Sequence, residues 1–389
     1  MICAALLLAV LGCDRIEQTA SDLFDTRTPH TRYGDMLEAA GLGATALGRD
    51  WKATAERALA DAPLVTTPHV EEGFLDPAVP TAFAFRFAVQ RGQDITIAVD
   101  WRGAAPGLVF IDVWRMRADS SRVLDHIESA DSGRSEVTFE ARRSGEHVVR
   151  IQSELLRGGR FRISLRVGPS LAFPVLNGTN DDIGSLWGAA RDGGRRSHRG
   201  IDIFARRRTP ALATGEATVT RVGQDRLGGL VVWLRDRRGN SLYYAHLDSQ
   251  LVSEGDQVQA GDTIGLVGRT GNARTTPAHL HFQVRAAGQG TVDPYWFVAR
   301  TSSLLPRLAV DTSKLGDWAL ARRRAVVLAA PELSAVARDT LMARDSMQLL
   351  GAVGRFYRIR LKDGTTGFIA GPSVGTVLAA ARSRGSTSL

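Results

Sequence analysis

The chain has 389 residues and a formal net charge of +8, with 44% hydrophobic and 23% charged residues, an ordinary globular composition that excludes a disordered or membrane-embedded chain. Its length exceeds what one hydrophobic core usually serves, so several domains are expected. Of its 49 basic residues only Lys52, Lys314 and Lys362 are lysines, and the arginines are dispersed and form no nucleic-acid motif, so no nucleic-acid partner is expected.

The N-terminus carries both cysteines, Cys3 and Cys13, which leaves no disulfide framework. The run from Ala4 to Leu11 is apolar, too short to span a bilayer as a mature helix and suited to the apolar part of a secretory signal. It ends Val10-Leu11-Gly12-Cys13, which resembles the lipobox of bacterial lipoproteins. That resemblance implies a lipoprotein-type signal segment over 1–13, lipidation at Cys13 and a membrane anchor. The rival reading is a plain cleaved signal with an incidental cysteine. Both place the protein outside the cytoplasm, on the periplasmic or extracellular side of a bacterial cell envelope.

Residues 14–75 are expected to hold a polar tether, to about residue 32, followed by two short amphipathic helices. Tyr33, Met36, Leu37 and Ala40 fall at helical spacing, as do Leu47, Trp51, Ala55 and Leu59. The period then changes to two. Phe83, Phe85, Phe87 and Val89 alternate with other residues, Arg91-Gly92 turns the chain, and Ile95, Ile97, Val99 and Trp101 alternate again, which reads as a hairpin. Further strand-like runs at Leu108–Trp114, Val137–Ala141, His147–Ile151 and Phe161–Val167 predict an antiparallel β-sandwich over 76–168. Its pattern resembles the small pre-peptidase C-terminal type of bacterial sandwich.

Half of the eight histidines, His198, His246, His279 and His281, fall within the next unit, 169–300. His198-Arg-Gly-Ile-Asp202 sets an imidazole and a carboxylate four residues apart in a turn that enters a strand. His279-Leu280-His281 opens the strand Leu280–Val284, so its two imidazoles share a face. Two imidazoles and one carboxylate make the open, three-ligand type of site that leaves a position for water, and a closed structural site would want cysteines that are absent here. Taken singly, each histidine is better read as a core or surface residue; in combination they point to a metal-dependent hydrolase.

Ser197-His198-Arg199-Gly200-Ile201-Asp202, Tyr244-Ala245-His246-Leu247 and Pro277-Ala278-His279-Leu280-His281-Phe282 resemble the motifs of the lysostaphin or LytM-type zinc metallopeptidases. Ser185-Leu186-Trp187-Gly188, Thr209-Pro210 and Gly268-Arg269-Thr270-Gly271 extend the likeness over about 174–297. The resemblance implies Zn2+ held by His198, Asp202 and His281, with His246 and His279 as unligated catalytic residues. It also implies an antiparallel β-sheet with a cleft and peptides of peptidoglycan as substrate. Arg208 stands where that family often has glycine before Thr-Pro. The stretch Val252–Gly265 has the look of a lipoyl-carrier hairpin without the lysine such carriers modify, which suggests a shared barrel-like fold.

After a linker at 301–320, the strand-like runs Ala325–Leu328, Phe356–Leu361 and Gly367–Ala370, with Asp363-Gly364 as a turn, resemble a bacterial SH3-like barrel over 321–378. Its aromatics Phe356, Tyr357 and Phe368 are either a wall-peptide surface or core. The tail 379–389 is expected to be disordered. The expected whole is therefore a mainly β protein: helical N-terminal region, β-sandwich, antiparallel metallopeptidase sheet and C-terminal SH3-like barrel. Its expected activity is that of an exported, lipid-anchored zinc metalloendopeptidase cutting peptidoglycan stem peptides or cross-bridges. The alternative is a non-enzymatic wall-binding activator or scaffold for other hydrolases, whose signature would be a lost ligand.

Overall fold

The computed structural model describes residues 27–103, 108–117, 123–130 and 133–378. The signal segment with Cys13, most of the tether and the tail 379–389 lie outside the described residues. The architecture is mainly antiparallel β, as the period-two runs predict. Among the described residues no helix is long and apolar enough to cross a membrane.

Two helices come first. Helix α1 (Pro29–Ala39) starts where the Thr28 hydroxyl accepts from the Thr31 N–H at 3.2 Å, and Pro29 occupies the first turn, where its missing N–H costs nothing. It begins inside the stretch expected as tether. Helix α2 (Ala46–Ala60) is capped the same way by Thr45. Leu37 and Trp51 pack on Phe110 of the sandwich, and the Trp51 indole N–H donates to the Ser153 carbonyl at 2.8 Å, so both helices are docked.

The sandwich strands are β1 (His69–Leu75), β2 (Ala82–Val89), β3 (Gln93–Gly103), β4 (Val109–Met116), β5 (Leu124–Ser129), β6 (Glu136–Glu140), β7 (Gly145–Ser153) and β8 (Gly159–Pro169). One layer runs β2-β7-β4-β5 and the other contains β1-β8-β3-β6. The sandwich thus starts at β1, before the expected boundary at residue 76. The expected hairpin is not one: β2 pairs with β7, whereas β3 pairs with β6 and β8. Phe83, Phe85 and Phe87 face Ile95, Ile97 and Val99 across the interior, all buried in one cluster. Period-two alternation is the same for strands that are paired and strands that are stacked, so the sequence pattern does not distinguish them. Arg91-Gly92 instead carries the chain between layers, with Gly92 at φ +87° and the Phe297 ring where a side chain would stand.

The next unit is built on β9 (Ile183–Ser185), β10 (Ile201–Phe204), β11 (Ala217–Asp225), β12 (Gly229–Asp236), β13 (Ser241–Leu247) and β14 (His279–Ala286), in the order β11-β12-β13-β14-β10-β9. A small second sheet of 210–212, 263–266 and 249–250 covers one face. Ile201, Ile203, Leu242, Tyr244, Leu280 and Phe282 point into the core so enclosed. Alternation then sends Asp202, Tyr243, Ala245, His279 and His281 to the opposite face. The carrier-like stretch 252–265 is no hairpin: Gln257–Val258 pairs with β11, and Thr263–Leu266 lies in the small sheet.

The C-terminal unit comprises β15 (Trp318–Ala321), β16 (Ala325–Leu328), β17 (Ala337–Leu341), β18 (Ser346–Val353), β19 (Phe356–Arg360), β20 (Thr366–Ala370) and β21 (Val374–Leu378). Its pairing path, β17-β16-β20-β19-β18-β15-β21, has two open ends, so no closed barrel forms among the described residues. Strand β18 pairs in addition with β1, Glu72 opposite Ala352 and Gly73 opposite Gly351, which merges this unit with one sandwich layer in a continuous sheet. Beside that seam Glu71, fully buried, receives both arms of Arg358 at 2.5 and 2.7 Å, and the guanidinium lies between the Phe83 and Phe368 rings. Phe356, Tyr357 and Phe368 are buried, so these aromatics are core. The last residues of the expected linker, from Trp318 on, belong to β15.

Candidate active site

The three central strands bring the chemistry together. Asp202 on β10 lies opposite His281 on β14, and His281 lies opposite Ala245 on β13, one residue before His246. His198 reaches the same point from the loop before β10. Gly200 makes this possible, because a Cβ there would stand 2.5 Å from the Phe282 carbonyl and 2.7 Å from the His281 ring.

Three donor atoms converge. His198 Nε2 is 3.1 Å from Asp202 Oδ1 and 3.0 Å from His281 Nδ1, and the latter two are 2.9 Å apart. The Nδ1–H of His198 donates to the Leu186 carbonyl at 2.9 Å, so its Nε2 presents a lone pair to the triangle. Lone pairs pointed at one spot repel unless a cation lies between them. Three tetrahedral ligands at metal bonds near 2.0–2.1 Å stand about 3.3 Å apart, close to the spacing here, so the donor set fits a divalent metal. Burial pushes the Asp202 carboxyl up, but the close approach of the His198 and His281 imidazoles outweighs it and holds the group far below the usual carboxylate range.

His246 and His279 flank the triangle, with ring centroids 4.9 Å apart and His246 5.8 Å from His281. Each spends its Nδ1–H on a backbone carbonyl, Thr270 at 3.0 Å and Pro277 at 2.9 Å, so each Nε2 is left without that proton. The His246 backbone is left-handed, φ +62°, an uncommon conformation for a side chain of this size. Burial, then the neighbouring His279 and His281, push its imidazole down to about 4, so it is neutral at neutral pH. All five residues expected in the site therefore border one cleft of about 890 Å³, whose rim also includes Tyr243, Leu227, Asn272 and Pro277. Tyr243 donates to Asp225 at 3.0 Å.

The sequence reading missed the supports. Arg191 Nη2 donates to Asp202 Oδ2 at 2.5 Å and to Ser185 Oγ at 2.7 Å, leaving Oδ1 to the triangle. Its forked donor suits a carboxylate, but linear sequence gives no sign that it folds back on Asp202. Thr270 and Ser185 lie in motifs that the sequence did single out. The Thr270 hydroxyl ties two backbone groups, donating to the Leu247 carbonyl and accepting from the Leu230 N–H, while the Thr270 carbonyl accepts from the His246 ring, which accounts for the threonine of the Gly-Arg-Thr-Gly motif.

Comparison with known proteins agrees. The family model described as Peptidase family M23 matches residues 196–294. Over 135 residues the chain is 36% identical to the L-Ala-D-Glu endopeptidase of Bacillus subtilis, covering 32% of this chain and 41% of that protein. Over 93 residues it is 36% identical to the peptidoglycan DD-endopeptidase ShyC of Vibrio cholerae, covering 24% of this chain and 21% of that one. The chain thus spans less than half the length of these relatives. The crystallised catalytic domain of lysostaphin from Staphylococcus simulans is 32% identical, with 28% of this chain and 86% of that one covered and a TM-score of 0.26. The matched segment contains the loop, β10, β13 and β14 that hold the five cleft residues, and the chain carries a domain of peptidase family M23, of the lysostaphin or LytM type.

Proposed function

We propose that the protein is a zinc metalloendopeptidase that hydrolyses peptide bonds of peptidoglycan stem peptides or cross-bridges, exported to the cell envelope and lipid-anchored at Cys13. The observation that carries the catalytic part is the convergence of His198 Nε2, Asp202 Oδ1 and His281 Nδ1 beside two further imidazoles, in a cleft of about 890 Å³. Peptidoglycan as substrate rests on the names of the relatives, and the anchor on the Val10-Leu11-Gly12-Cys13 run.

His198, Asp202 and His281 would hold the metal, as the family resemblance implies. Bound zinc supplies an acidified water and polarisation of the scissile carbonyl. The proton of that water needs an acceptor, and an imidazole whose Nδ1–H is already spent on a carbonyl offers Nε2 for it. His279 is assigned that role, returning the proton to the leaving amine. His246, whose Nε2 is left as an acceptor, orients the attacking water.

The test is purified protein on isolated peptidoglycan with and without a chelator. Release of new peptide ends that stops on chelation and returns with zinc is expected, and its absence from several wall types would overturn the proposal. His279→Ala is expected to keep its zinc and lose at least a hundredfold in activity, whereas His281→Ala loses both. Unchanged activity in either would contradict the roles given. The rival, a wall-binding activator without activity of its own, is disfavoured because no position of the five is lost.

A further inference from the structure

Resting on the peptidase reading, one polar group on the cleft floor narrows how substrate is held. Strands β10, β13 and β14 form that floor, and on β14 the alternate residues His279, His281 and Gln283 all border the cleft. Gln283 is only 8% exposed, and among the described residues its side-chain amide makes no hydrogen bond. Its neighbours have nothing to offer it. Tyr243, opposite Gln283 on β13, commits its hydroxyl to Asp225 at 3.0 Å. On the other side, the register that sets Ile201 opposite Phe282 brings Gly200 next in line, without a side chain. Arg285, the next residue on the same face, lies over the Trp233 ring. A polar group so deeply buried is ordinarily paired, and an amide left open to a cleft is poised for a ligand.

A glutamine amide presents a donor at Nε2 and an acceptor at Oε1 side by side. The N–H and C=O of one residue in an extended chain point to the same side and match that pair. Gln283 follows His281 by two residues, a rise of about 7 Å along the strand, which is also the span of two residues of an extended substrate. With His279, on the far side of His281, returning the proton to the leaving amine, the Gln283 side of the metal ligands is the acyl side of the scissile bond. We propose that Gln283 is a specificity-determining residue that binds the backbone N–H and C=O of the substrate residue two positions to the acyl side of the cut. The contact reads backbone and not side chain. It admits varied side chains there and excludes proline or any residue without an N–H. A bond with only one residue before it forgoes the contact, so cuts further along a stem peptide, or in a cross-bridge, are favoured over a cut at the first bond.

The probe is a cross-linked pair of synthetic stem peptides, together with a set in which each backbone amide in turn is N-methylated. Mass spectrometry locates the bond cut by the zinc-loaded full chain. Gln283→Ala is expected to lower kcat/KM for the parent peptide about fivefold, chiefly through KM, with zinc content at the wild-type level. Gln283→Met, which keeps the bulk of the side chain, should lose as much. Methylation of the amide two residues to the acyl side should cost wild type about tenfold and Gln283→Ala less than about threefold. Equal losses in both proteins, wild-type kinetics in either variant, or cutting at the first bond of the stem overturns the inference. Binding of the same peptides to His279→Ala and to His279→Ala/Gln283→Ala, read by fluorescence anisotropy, separates the two proposals. If nothing is cleaved but one methylation weakens binding about tenfold in the first protein and not in the second, hydrolysis fails and the Gln283 contact stands. If no methylation distinguishes the two proteins, the contact fails whatever the activity.

Discussion

Arg191 acts through Asp202. By occupying Oδ2 at 2.5 Å it fixes the carboxylate rotamer that aims Oδ1 at the histidines, and such outer partners typically matter ten- to a hundredfold in metal affinity. Arg191→Met is therefore expected to lose zinc to a competing chelator at a concentration about tenfold lower than wild type does, with the fold unchanged by circular dichroism. Unchanged competition would show that the histidines alone position Asp202. Arg208 is a second residue-scale case. It takes φ +70°, the left-handed region that glycine adopts without strain. Its N–H donates to the Val267 carbonyl, so the turn is retained whatever the side chain. Arg208→Gly should stabilise the protein by about 0.5–1 kcal/mol in denaturant titration, the relief of strain exceeding the added chain entropy of glycine; destabilisation would mean that the exposed contact with Asp248 matters more.

At the scale of elements, α1 is held to the sandwich by a buried histidine. His30 Nε2 lies 2.7 Å from Gln152 Oε1, and its ring stacks on Trp51 at 4.3 Å. Burial, and then the charge of Arg150, push its imidazole down to about 4 from an ordinary value of 6.5. The sign follows from linkage. Above pH 6.5 neither state binds the proton; between 6.5 and 4 the unfolded state takes it up and the folded state resists, so stability is lost as pH falls through that window. The loss from this group at pH 5 is about 2 kcal/mol. Wild type is expected to lose that much more between pH 7 and pH 5 than His30→Gln does in urea titrations. Parallel losses would assign the acid sensitivity elsewhere.

Across the whole molecule, the C-terminal unit is not a bead on a string. Strand β18 extends the sandwich layer through β1, and the Glu71 carboxylate is fully buried beside that seam, held by Arg358. The third unit is tied to the sandwich by a different device: Arg238 bridges Asp94 at 3.1 Å and Glu140 at 2.7 Å. Arg358→Met strands a buried carboxylate and should cost about 3–5 kcal/mol, most of it recovered by adding Glu71→Leu. Calorimetry should also find the sandwich and the C-terminal unit melting as one transition. Separate melting, or no recovery in the double variant, would mean that the seam is weak.

Local chemistry was legible without coordinates. His198, Asp202, His246, His279 and His281 could be picked out as one group bordering one cleft because motif spacing is a property of consecutive residues, and alternate residues of β14 share a face whatever lies next to them. The helices at 29–39 and 46–60 and the inward rows of β2 and β3 were likewise fixed by period. Strands such as β1 and β18 were not, since the apolar residues of His69–Leu75 and Ser346–Val353 do not alternate along the sequence and give no period to read. What only the tertiary structure decided is pairing at long range: β2 and β3 stacked instead of paired, β18 joined to β1, and Arg191 brought onto Asp202. Those contacts depend on which surfaces meet when the chain collapses, and a linear pattern that suits several partners equally well does not name the one that the folded core selects.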